Sequence, residues 1–401
     1  VKILVLGSGA REHAIVTALL REDAGHEIVA APGNAGIARA VPVVKMGFEL
    51  VVVGPEAPLV AGVADALRTR GIPVFGPGRA AAALEGSKTF AKRIMEEAGV
   101  PTGRAAQAGT VDEVEAALDE YGAPYVIKAD GLAAGKGVLV TADRTLALEH
   151  ARHYLGQGTV LVEEFLAGQE VSLFLLSDGH DVVPLSPAQD YKRLGDGDAG
   201  PNTGGMGAYS PLPWLPAGFV DEVIDTIALP TVRKLAEEQT PFIGLLYCGL
   251  ILTADGIRVI EFNARFGDPE TQVVLPRLVT PLSQLLLAAA SGELGGVARP
   301  EFSDDVAVTV VIASEGYPEA PRTGRVIEGV EEAERVEGVS IAHAATAESE
   351  AGLVATGGRV LSVVATGASF VEARSRVYEA VGRLSLDGSQ HRTDIAAQVI
   401  R

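Results

Sequence analysis

Four short apolar runs near the N-terminus each stop in a glycine or proline turn, and this punctuation constrains the fold more than any other feature. Residues 2 to 6 run into Gly7-Ser8-Gly9, 27 to 31 into Pro32-Gly33-Asn34, 51 to 54 into Gly54-Pro55-Glu56, and 72 to 75 into Gly76-Pro77. Helix patterns occupy 10 to 21 and 59 to 70. Strand, glycine turn and helix is the unit of an open parallel α/β sheet, whose strand tips hold ligands. One interval resists this pattern. Residues 41 to 44 and 50 to 53 both read as buried strands, but 45 to 49 is too short for a parallel crossover of about a dozen residues. Either a helix is absent there, or one run is not a parallel strand.

At roughly 100–200 residues per domain, 401 residues predict two to four units. A second unit begins near Pro101, where Thr110 and Glu113 form a capping box ahead of a helix. Strands at 125 to 129, 137 to 141 and 159 to 165, with a helix at 144 to 155, complete a compact α+β lid. Residues 186 to 213 read as a long polar, glycine-rich loop, followed by a helix at 218 to 239 and a hairpin of 247 to 253 with 257 to 263. Past residue 300 the pattern is mainly β: strands at 306 to 313, 324 to 330 and 358 to 365, then a helix at 369 to 383. The expected division is an N-terminal α/β domain (1–85), a central domain (86–297) with its lid at about 101–165, and a C-terminal domain (298–401).

Net charge −19 disfavours nucleic acid as a partner. Mean hydropathy is +0.24, but no stretch approaches the roughly 18 apolar residues of a membrane span. Cys248 is the only cysteine, so an internal disulfide is excluded, and a soluble cytoplasmic protein is expected. Only 8 of the 33 basic residues are lysine. Five of these, Lys88, Lys92, Lys128, Lys136 and Lys192, fall within or beside motifs.

Gly7-Ser8-Gly9-Ala10-Arg11-Glu12-His13 resembles a dinucleotide turn, but Glu12 stands where the third glycine belongs and no acid ends the second strand. Backbone amides with Arg11 still suit a single phosphate, and Asn34 at the next strand tip suits sugar hydroxyls. A plain strand–helix turn is the alternative. Lys128 closes a strand, and Gly131, Gly135, Lys136 and Gly137 follow in a loop that could envelop a polyphosphate and order on binding it. A hairpin tip is the alternative there. Glu261 and Asn263 lie two apart on a strand, facing one way while Ile260 and Phe262 face the core. Two such oxygen donors suit magnesium, with phosphates and water completing the shell. Arg265, Asp268 and Glu270 follow at once; a solvated strand end is the alternative.

Taken in order, these segments resemble the ATP-grasp ligases and, among them, the phosphoribosylamine–glycine ligase family. The resemblance runs over essentially the whole chain, through residues 9–14, 32–36, 54–59, Glu85-Gly86-Ser87-Lys88, 128–137, 200–209 and 261–270. It implies an ATP-grasp fold and ATP-dependent joining of glycine to 5-phosphoribosylamine through an acyl phosphate, by a monomer using Mg2+ or Mn2+. Lys88 and Lys128 would hold phosphates, Glu163 and Glu170 the adenine and ribose end with Glu164, Phe165 and Leu166, and Arg265 the transferred phosphoryl group. Substrate contacts would come from Gly9, Arg11, Glu12, Asn34, Pro55, Glu56, Asp190, Lys192, Asn202, Thr203, Gly204, Gly205, Met206, Gly207 and Asp268, with Glu261 and Asn263 on the metal.

Three departures stand out. The helix between 44 and 50 is absent. The strand 246–252 lacks the acid that many ATP-grasp enzymes use as a third metal ligand. Arg392-Thr393-Asp394-Ile395 keeps the family pattern, yet Ala396 follows where glycine is expected. Another ATP-grasp carboxylase or carboxylate–amine ligase of purine synthesis is the nearest rival, and a non-catalytic nucleotide sensor the more distant one.

Overall fold

The computed structural model describes all residues except Asp23, 41–47, 133–136 and Arg401. The first domain is a parallel sheet in the order Glu27–Pro32, Lys2–Gly7, Leu50–Val53, Val74–Phe75. Leu50–Val53 lies beside Lys2–Gly7, so it is a parallel strand, and the crossover from Pro32 has room because it spans 33 to 49 and includes the helix Ala35–Ala40. The apolar run at 41 to 44 lies outside the described residues. Ile3 and Val5 are fully buried, whereas Leu4 and Leu6, on the opposite face, are only partly so. Parallel sheets are normally covered on both faces. The expected helix at 59 to 70 is two helices, Glu56–Ala61 and Val63–Arg68, parted at Gly62, whose φ of +91° ends the first.

The lid has its own core. An antiparallel sheet, ordered Ala105–Ala108, Val160–Glu163, Tyr125–Ala129, Val138–Thr141, packs against the helices Val111–Tyr121 and Arg144–Leu155. Thr110 and Glu113 close the capping box the sequence predicts. A second antiparallel sheet, Val182–Pro184, Gln169–Asp178, Ile243–Thr253, Gly256–Asn263, meets the start of the lid through a bridge between Thr102 and Val259. Its last pair carries a bulge at Gly249/Leu250, opposite Ile260, which is therefore only partly buried and not in the core as expected.

The stretch 186 to 213 is not a structureless loop. Gln189–Asp190 and Gly207–Ser210 join a five-stranded sheet with Val306–Ala313, Arg359–Gly367 and Val339–His343, while Arg193–Gly195 and Ala199–Asn202 form a separate hairpin. The central and C-terminal regions thus share one sheet. The helical run from 219 to 237 contains a π-turn at Ile224–Ala228. Ala396, buried, has φ +59°, the left-handed conformation that glycine adopts at no steric cost. Among the described residues no helix is long and apolar enough to cross a membrane.

Candidate active site

One end of the cleft is built on lysines. Ser87 caps the helix Lys88–Glu97 by accepting from Phe90 N, and Asp130, just past the lid strand Tyr125–Ala129, accepts from Lys88 N at 2.7 Å and Thr89 Oγ1 at 2.7 Å. This ties the loop at Gly131 to the helix start; Lys88 Nζ donates to Gly131 O at 3.1 Å. One helical turn later, Lys92 reaches Glu163 at 3.4 Å. Lys128 pairs with the same carboxylate at 2.9 Å and donates to Ile260 O at 3.1 Å, the carbonyl exposed by the bulge. Burial lowers the Lys88 and Lys92 ammonium pKa values, against the pull of Glu261 and Glu163 respectively.

The structure therefore places Glu163 among lysines. Glu164 instead bonds the exposed Arg104, accepting from its N at 2.8 Å and Nε at 2.9 Å. Phe165 is exposed beside half-buried Leu166, and Glu170 pairs with Lys192 at 2.7 Å. Gly137 lies at the start of Val138–Thr141, its carbonyl accepting from Ala129 N at 2.8 Å, whereas Gly135 and Lys136 fall outside the described residues.

The other end is built on arginines. Arg265 meets Glu85 at 2.9 Å and Glu56 at 3.4 Å, the latter at the start of the helix that Pro55 caps. Glu85 also accepts from Ala264 N at 2.8 Å. Burial opposes charge on Arg265, but Glu85 and Glu56 hold it protonated beyond the ordinary range. Burial raises the Glu85 pKa, and Arg265 partly restrains the rise. Arg265 Nε is buried without a hydrogen-bond acceptor.

Glu12 explains the glycines at the strand tips. Its buried carboxylate accepts from Gly9 N at 2.6 Å and pairs with Arg11, and a side chain at Gly7 or Gly54 would collide with it. The Gly9 amide that the sequence assigns to a phosphate is thus already bonded to Glu12. Arg11 also donates to Phe266 O at 3.1 Å. Asn34 is similarly engaged: its amide donates to Ser8 O at 2.8 Å and His343 O at 2.7 Å, and its oxygen accepts from Ile37 N at 2.9 Å. It joins the first domain to the C-terminal region, where the sequence assigns it to sugar hydroxyls.

Between these ends lies a carboxylate-rich floor. Burial opposes ionisation of Glu261, but Lys192, Lys128 and Lys88 hold its pKa below the usual range. Burial raises the Asp190 pKa; Lys192 opposes this, and Glu270 and Glu170 add to it. Glu270 is buried and accepts from Ser172 Oγ at 3.0 Å and from Tyr247 OH, so it serves the core. Among the described residues no three His, Cys, Asp or Glu side chains converge on a metal position. Glu261 with Asn263 is a two-donor set, which suits a divalent ion that brings phosphate oxygens with it.

The glycine-rich segment is held from both sides. Thr203 N donates to Lys192 O at 2.7 Å, Gly204 N to Tyr317 OH at 2.9 Å, and Asn202 Nδ2 to Val138 O at 3.5 Å. Arg359 donates to Gly204 O and pairs with Asp268 at 3.3 Å, and buried Met206 bonds Tyr191 O through its amide. A side chain at Gly205 would strike Pro269, and one at Gly207 would strike Ile395. Sequence reasoning missed Glu85 and Lys92 as site residues, although Glu85 stands inside a quoted motif and Lys92 is one of few lysines. Arg359 and Tyr317 carried no signal, since their place depends on strand pairing across more than 100 residues.

A small domain with its own core beside a lysine-lined cleft is the architecture of an ATP-grasp enzyme, a class that uses ATP with a divalent metal. The biotin carboxylase domain of the Hydrogenobacter thermophilus 2-oxoglutarate carboxylase shares the fold at TM-score 0.71 and 17% identity, covering 97% of this chain and 91% of that one. The chain belongs to the phosphoribosylglycinamide synthetase family: it matches that family's N domain over residues 1–85, its ATP-grasp (A) domain over 86–271 and its C domain over 307–398. It is 73% identical to the phosphoribosylamine–glycine ligase of Leifsonia xyli subsp. xyli, covering 99% of this chain and all of that protein. The Streptomyces coelicolor protein of the same name is 56% identical over 99% of each chain. The crystal structure of the Thermotoga maritima phosphoribosylamine–glycine ligase superposes at TM-score 0.85 with 36% identity, covering 98% of this chain and 100% of that one.

Proposed function

We propose that the chain joins glycine to 5-phosphoribosylamine, giving glycinamide ribonucleotide, ADP and phosphate, as a step of purine synthesis. The observation that carries this reading is the convergence, within residues 261–265, of two oxygen donors, Glu261 and Asn263, and a guanidinium held by Glu56 and Glu85. A glycine carboxylate oxygen attacks the γ-phosphorus, the bond to the ADP oxygen breaks, and glycyl phosphate forms. The ribosylamine nitrogen then attacks the glycyl carbonyl carbon, phosphate leaves with the former carboxylate oxygen, and the nitrogen loses a proton. The first step moves charge onto the ADP phosphate and the second onto the released phosphate, so positioned cations and exclusion of water matter more than an acid–base pair.

Lys88 and Lys128 bind the phosphates, Glu170 with Phe165 and Leu166 serve the adenosine end, and Arg265 takes up charge on the transferred group. Mg2+ or Mn2+ on Glu261 and Asn263 would neutralise phosphate charge. The ribosylamine lies by the strand tips of the first domain, with Arg11 rather than the Gly9 amide facing its phosphate. We read the divisions as 1–85, 86–297 and 298–401, the lid as closing over ATP, and the enzyme as a cytoplasmic monomer. ADP formation should require glycine and a phosphoribosylamine-generating mixture together. Turnover with bicarbonate in place of glycine would favour a carboxylase, and ATP binding without turnover would favour a sensor.

A further inference from the structure

Arg392 is fully buried far along the chain from every nucleotide contact, and a buried guanidinium is tolerated only when its donors are paired. Its Nε and NH2 donate to the two oxygens of Asp394, each at 2.7 Å. NH1 reaches Asp198 at 2.8 Å and Arg193 O at 3.2 Å, and the guanidinium lies 4.7 Å from the Tyr191 ring centroid. Ala396 N then donates to Tyr191 OH at 2.9 Å, and that hydroxyl donates to Gln398.

Tyr191 separates Asp190 from Lys192. Along an extended chain it points the opposite way from its neighbours. Asp190 and Lys192 face the carboxylate floor with Glu170 and Glu261, while Tyr191 is gripped from behind by the C-terminal segment. The backbone around it is pinned as well, since Tyr191 N donates to Gly207 O at 2.9 Å and Met206 N to Tyr191 O at 2.8 Å.

We propose that Arg392, acting through Tyr191, is a positioning residue that fixes how Asp190 and Lys192 meet the amine substrate. The inference rests on the ligation proposed above and on Asp190 and Lys192 lining its substrate site. Lysine cannot reproduce the forked bond to Asp394 that holds the guanidinium over Tyr191. Arg392→Lys is expected to lower kcat/KM for phosphoribosylamine about 10-fold or more, while ATP KM and ADP affinity by calorimetry stay within about 2-fold. Tyr191→Phe keeps the ring and removes the hydroxyl; a loss of about 3-fold in the same parameter is expected. The double variant should lose less than the product of the two single losses, because both act on one contact.

Equal losses for ATP and phosphoribosylamine, or multiplicative losses in the double variant, would overturn the proposal. So would an unchanged kcat/KM in a folded Arg392→Lys protein. If that variant fails to fold, Tyr191→Phe decides: its selective loss for phosphoribosylamine supports the proposal, and no loss or an equal loss for ATP overturns it. Failure of the ligation reading would show separately, as absent turnover in the unmodified chain.

Discussion

The cleft is cationic at both ends, but the two ends are made differently. At the lid, Lys92 and Lys128 share Glu163 while Lys88 feels Glu261, and burial weakens the hold of Lys88 and Lys92 on their protons. At the far end, Arg265 keeps its charge beyond the ordinary range because Glu56 and Glu85 grip it. A lysine is a flexible point charge and an arginine a rigid fork. The lid end therefore gains charge balance when phosphates arrive, whereas the arginine end is fixed before any ligand binds. On the function proposed above, binding and phosphoryl transfer fall to different cation chemistries.

Arg265→Lys tests that contrast hardest. The shorter ammonium cannot span Glu56 and Glu85 while facing the reacting phosphoryl group, so kcat should fall about 100- to 1,000-fold with little change in ATP affinity. Equal loss in binding and turnover would erase the distinction between the ends. Glu261→Gln comes next. It removes the charge proposed to face the metal, amid three lysines, so turnover should fall about 10- to 100-fold and the divalent-metal requirement should rise in a metal titration. Near-normal turnover at low magnesium would contradict the metal assignment.

The lysine end should show itself in pH. Lys88 and Lys92 have pKa values below the usual lysine range, so each loses charge as pH rises sooner than an exposed lysine would. ATP KM should rise on the alkaline side before 10.5, the unperturbed value, and Lys92→Arg should move that rise upward, as read from a KM–pH profile. The smallest effect lies outside both ends. Ala396→Gly relieves a left-handed alanine but removes a buried methyl and loosens the unfolded chain, so thermal unfolding should register a change within about 1 kcal/mol.

Much of the cleft was legible in sequence because its groups sit on contiguous segments: strand ends, a capped helix and the run from Glu261 to Glu270. The Thr110 capping box and the 247–263 hairpin are local features, and local rules find them. What stayed hidden depends on contacts between distant segments. Glu12 looked like a failed glycine position, yet its carboxylate fills the space that Gly7 and Gly54 leave. The polar stretch from 186 to 213 read as loop because its pairing partner, Val306–Ala313, lies about a hundred residues away. Asn34 looked free for a ligand, and only the fold shows its amide joining Ser8 to His343.

The division of labour between the two ends presupposes that glycine is activated by phosphorylation. Glycine carrying 18O in both carboxylate oxygens, turned over with ATP and phosphoribosylamine, tests this directly by mass spectrometry of the released phosphate. One 18O atom should appear in each phosphate and one remain in the amide product. Phosphate free of label would mean that no acyl phosphate forms, and would contradict the role given to Arg265.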